Sequence, residues 1–177
     1  MLFKKRLDIQ DFAIVLVAAH ESFFSEQALV RLSDQLTLVI DPARMPLAKL
    51  EWTIFGIYAV VKGIEGNIED ATLRYCASIA FLARMRPQVE SESSLTNQEQ
   101  DAVSLTNKRM EEYNSAWHEF PDSRAVQTLG EAMSQRVLSV TMRDNLLTIP
   151  FGQLAVSAMI DTAKFVKDVL STVKLRL

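Results

Sequence analysis

The chain has only two imidazoles, His20 and His118, and each is followed by a glutamate, as Ala19-His20-Glu21 and Trp117-His118-Glu119. Two His-Glu pairs brought together by a fold could hold a metal ion or move a proton. Adjacent residues of a helix point about 100° apart, however, so one pair does not present both side chains to one ion. The E-x-x-H spacing of di-iron bundles is missing, because Val17 and Ser115 stand third before the two histidines. H-E-x-x-H is missing too. These spacings predict no metal and no cofactor.

The other chemistry-bearing residues are scattered. Glu65, Glu69 and Asp70 follow one another closely, and a paired-carboxylate site would need them in a pocket with shifted pKa values. Their position at a chain turn predicts exposed side chains instead. The lone Cys76 lies on an apolar helical pattern with no second cysteine or nearby histidine, which predicts a small buried hydrophobe. Gly56, Gly63 and Gly66 match neither the dinucleotide nor the Walker spacing, and no G-x-S-x-G is present. No arginine- or lysine-rich recognition helix follows a helix-turn-helix pattern. Lys4, Lys5 and Arg6, next to Leu2 and Phe3, form a small basic cluster that an anionic membrane could attract.

The element that must position any site is the stretch 47–66, LAKLEWTIFGIYAVVKGIEG. Leu47, Leu50, Ile54, Ile57, Val61 and Ile64 recur at helical spacing, and the opposite side is apolar as well. A helix apolar on every side belongs inside a fold. The segment around 12–19 has the same character, and its eight-residue apolar run is too short for a membrane span. Ser25-Glu26 reads as a helix start, and Leu29, Leu32, Leu36 and Val39 as a stripe stopped by Asp41-Pro42.

A further helix is expected over about 68–86, with Ile68, Ala71, Tyr75, Ile79 and Leu82 inward and Pro87 closing it. The polar stretch 87–95 then reads as a linker between two helical halves of a single domain, 1–177. Thr96 and Glu99 form a T-x-x-E capping box. Beyond it Val103, Met110 and Trp117 recur every seven residues, with Tyr113 and Phe120 interleaved, as a coiled-coil-like seam. Pro121 and Pro150 mark two more breaks, with Leu129, Met133 and Val137 on one helical face between them. The last helix is expected from about Phe151 to the end, and no segment reads as a strand.

The fold class this predicts is all-α, a compact bundle of about six to seven helices around the buried helix at about 47–64. At 177 residues the chain can bury a substantial core. A net charge of −3 argues against a dedicated nucleic-acid binder, whose domains are strongly basic. Charge is uneven: residues 87–122 carry eight acids and two bases (−6), and residues 123–177 seven bases and four acids (+3).

Absent catalytic spacing and abundant helical surface point to a cytoplasmic interaction or structural protein. The expected interface is Val103, Met110, Tyr113, Trp117 and Phe120, serving a homodimer or another protein; the same seam could equally pack on the chain's own helices. The alternative function is binding of a small apolar ligand in a pocket lined by Trp52, Phe55, Tyr58 and Tyr75. No catalytic residue is assigned. An enzyme would need His20 or His118 to converge with carboxylates.

Overall fold

A computed structural model describes residues 5–38, 40–96, 101–118, 123–138 and 148–177. Its axis is α3 (Met45–Asn67), which opens with Pro46 in its first turn, where a missing N–H costs nothing. Every residue from Leu50 to Val61 is buried. The helix achieves this by packing against the six other helices: α1 (Ile9–Phe24), α2 (Glu26–Gln35), α4 (Ala71–Ser94), α5 (Ala102–His118), α6 (Ser123–Leu138) and α7 (Thr148–Thr172). The compact all-α bundle around a central helix is therefore what forms. Full burial of side chains such as Ile54, Phe55 and Ile57 is worth about 1.5–3 kcal/mol each, which is why the most apolar segment takes the middle.

Helix starts follow local chemistry. Asp8, Ser25, Asp70 and Asp101 each accept a backbone N–H from the first turn of α1, α2, α4 and α5. For α5 this replaces the expected capping box. Thr96 instead closes the turn after α4 by donating to the Ser93 carbonyl at 2.8 Å, and Glu99 lies outside the described residues. The stripe expected to reach Val39 stops early, since α2 ends at Gln35. Thr37 adopts φ 54° there, and the Thr37 and Leu38 N–H groups donate back to the Asp34 and Ser33 carbonyls. That is a Schellman end with a β-branched residue in the left-handed position, where glycine is the unstrained choice.

Residues 87–95 are not a linker. α4 continues through Pro87 to Ser94. The N–H that Pro87 lacks would have served Ala83, and both residues lie on the exposed side of the helix, away from the core. Beyond the proline, buried Val89 and Glu92 hold the last two turns on the core. α7 begins three residues before Phe151, because a proline at position 150 is tolerated in a first turn.

The final helix also stops short of the end. Val173–Arg176 is β2, paired in parallel with β1 (Lys5–Asp8), with Arg6 opposite Lys174 and Leu7 opposite Leu175. Leu7 and Leu175 pack against the core. This small sheet corrects the expectation of no strand; its two halves lie at opposite ends of the sequence, beyond the reach of local periodicity. α6 and α7 cross at Gly130 and Gly152, where a methyl on either would press on the other's backbone at 2.5–3.0 Å.

By length and composition, Ile9–Gln35 contains an 18-residue window apolar enough to cross a membrane, with a mean hydropathy of 1.2. Ser25 divides that stretch, its backbone extended at ψ 164°. The 16 residues of α1 alone span about 24 Å, short of the ~30 Å hydrocarbon thickness.

Candidate functional site

His20 is fully buried on α1. Its Nε2–H donates to the Thr53 carbonyl of α3 at 3.0 Å, while Nδ1 has no partner among the described residues. Loss of solvent pushes its pKa down to about 4, against the smaller opposing pull of the Thr53 carbonyl. The ring is a neutral core group beside Phe24 and Phe81. Glu21 points to solvent. His118 ends α5, and its side chain and Glu119 lie outside the described residues. Among the described residues no group of three metal-ligating side chains occurs. Glu65 pairs with Lys62 at 2.7 Å on the surface, Glu69 is exposed, and Asp70 caps α4. Cys76 is a half-buried free thiol.

The four aromatic residues expected to line a pocket do not do so together. Trp52, Phe55 and Tyr58 sit in the solid core: Trp52 is tilted against Phe24 and Phe151, Tyr58 is tilted against Tyr113, and Phe55 meets Tyr113 edge to face. Tyr75, 68% exposed, stands on the outer side of α4. The reason is rotation: α4 turns Ala77, Phe81, Met85 and Val89 inward, and the small alanines 77 and 80 allow a close approach that a tyrosine would prevent. Burial raises the Tyr58 and Tyr113 pKa values well above the usual phenol range. The Tyr58 hydroxyl donates to the Tyr113 carbonyl at 3.3 Å.

The expected seam on α5 is likewise split. Tyr113 is fully buried, and Met110 and Trp117 pack half-buried against the core, whereas Val103 is 42% exposed and Phe120 lies outside the described residues. The inward face of α5 is Leu105, Arg109, Tyr113 and Ala116. Four of the five residues therefore do not form one free surface.

What the fold does assemble is an apolar groove between α4 and α5, about 270 Å³ in volume. Ile57 of α3 forms its floor, Leu82, Met85 and Val89 one wall, and Ala102, Val103 and Thr106 the other. Ile79, 49% exposed, and Val103 flank its mouth, with Arg86 and Asn107 as polar members of the lining. From Ile79 to Val89 the α4 wall runs about 15 Å. Leu82, Met85 and Val89, at helical spacing across Pro87, are the sequence signal for this wall.

Beside the groove, α5 is tied to α3 by charge. Arg109 donates from Nε and Nη2 to the Glu51 carboxylate at 2.7–2.9 Å, with both groups buried. Glu112 accepts from Arg109 at 3.1 Å and from Arg136 of α6 at 3.0 Å. Burial works against the Arg109 charge, but the neighbouring Glu51 and Glu112 carboxylates outweigh it and raise its pKa. Glu51, a lone carboxylate between Leu50 and Trp52, required such a partner. Comparison of the chain with protein-family models, curated proteins and solved structures finds no match.

Proposed function

We propose that this chain is a cytoplasmic interaction protein whose α4–α5 groove takes up an apolar helical face of another protein chain, a second copy included. The observation carrying this reading is the exposure of Ile79 and Val103 at the mouth of an apolar groove. Large hydrophobic side chains kept in water around a concavity mark places where a partner removes them from it. A wall of about 15 Å matches roughly three turns of a docked helix, whose side chains at i, i+3 or i+4, and i+7 would enter between α4 and α5. The compartment is inferred from the single free thiol, Cys76, which suits a reducing environment.

A photo-crosslinking amino acid at position 103 tests the reading in native cells. A discrete protein adduct that disappears with Ile79→Asp supports it, and light scattering on the purified chain distinguishes a second copy from another protein. Absence of any such adduct defeats it. The alternative reading, a small apolar ligand, draws on the groove's volume, which is close to the ~300 Å³ lower end of ligand pockets. Arg86 and Asn107 would then meet a polar headgroup, and native mass spectrometry would record the bound mass.

A further inference from the structure

The sheet brings together two basic segments from opposite ends of the sequence. Parallel pairing places Arg6 beside Lys174 and Asp8 beside Arg176. Alternation along each strand sends Leu7 and Leu175 to the core, so Arg6, Lys174 and Arg176 share the outward face. Lys5 is exposed at the start of β1. Arg84 of α4 adjoins through Gln10, at 3.5 Å. None of these five cations is in a salt bridge among the described residues. Asp8 on that face accepts the Asp11 N–H at the start of α1, and that bond, with a smaller pull from the facing Arg176 charge, holds its pKa below the usual carboxylate value.

Apolar side chains meet the sheet at Asp8, the residue of its outward face that lines a neighbouring depression. Tyr75, Ile79 and Leu177 are exposed and line one shallow depression together with Asp8 and Arg84. Ile14, exposed on α1, follows Gln10 by one turn. A tyrosine and aliphatic side chains next to clustered lysine and arginine are the pairing that suits a lipid headgroup boundary, where the ring sits among headgroups and the cations meet anionic lipid. On a chain of net charge −3 this local concentration of positive charge is the exception. We infer that the β1–β2 end, with Tyr75 and Leu177, docks the protein peripherally on an anionic lipid surface. An acidic polypeptide would satisfy the cations but would leave the apolar border without a role.

Flotation of the full chain with phosphatidylcholine vesicles, with and without phosphatidylserine, at low and high salt, tests this. Co-flotation is expected with the anionic vesicles only, weakening as salt screens the charges. Each cation neutralised should reduce partitioning roughly fivefold, so Lys174→Gln/Arg176→Gln should lose about 25-fold. Tyr75→Ser, at an exposed position that leaves the core untouched, should also weaken it, and circular dichroism would confirm that both variants fold. Equal binding to neutral vesicles, no binding to either, or unaltered binding by both variants overturns the inference. So does binding of soluble polyglutamate as tight as that of vesicles and indifferent to Tyr75→Ser.

Discussion

The two flanks of α3 bury polar groups in opposite ways. Against α1, Gly56 lets the helices approach so closely that a methyl there would meet Phe24 and His20 Nε2 at 2.5–2.6 Å. The polar group admitted is a neutral imidazole with one hydrogen bond. Against α5, the contact is an ion pair, Glu51 and Arg109, joined through Nε and Nη2 along one edge of the guanidinium. The first flank is specified by shape and tolerates almost no added volume. The second is specified by charge and tolerates no missing partner. The lesson is that burial of a polar group is safe either when it can stay neutral or when its countercharge is buried with it.

Breaking the charged flank should have the largest effect. Arg109→Met leaves Glu51 buried without its partner and should destabilise the fold by about 3–5 kcal/mol in urea unfolding. Glu51→Leu/Arg109→Met should recover most of that loss, because an apolar pair needs no compensation. A single variant as stable as wild type would show that the pair does not hold α5 in place.

Acid should act next, on the neutral flank. His20 is held near pKa 4 in the fold and returns to about 6.5 when unfolded, so the unfolded chain takes up its proton first. Its contribution is fully present above pH ~6.5, declines as pH falls towards ~4 and is then gone, about 3 kcal/mol in all. His20→Gln should flatten stability against pH by that amount over that window. An imidazole titrating near its ordinary value by NMR would sink the claim.

Gly56→Ala sharpens the same comparison at lower energy. The added methyl meets two ring side chains, and overpacking of this kind costs about 1–3 kcal/mol. A thermal midpoint unchanged from wild type would mean that α1 can simply step back. The smallest effect is expected at the outer end of the charged network, where Glu112 is part-exposed. Glu112→Gln should cost about 0.2–1 kcal/mol, and a cost rivalling that of Arg109→Met would place the network's strength at the surface instead of in the buried pair.

Much of this was written locally. Asp8, Ser25 and Asp70 stand where helix starts need an acceptor, and 54–61 is apolar on all sides, so neither the helical class nor the burial of α3 depends on anything distant. Which way each partner helix faces was not legible. α4 carries apolar residues around most of its circumference, and periodicity alone could not choose between Tyr75-Ile79-Leu82 and Ala77-Phe81-Met85.

Residue type and spacing along the chain settled the helices, their caps and the identity of the helix that had to be buried, since those are short-range energies of backbone hydrogen bonding and of apolar surface in water. Rotation of the outer helices, the Glu51–Arg109 pairing over 58 positions, the α4–α5 groove and the meeting of Arg6 with Lys174 came only with assembly. Each depends on which volumes fit together and which charges are dried together, and those terms do not exist until distant segments touch.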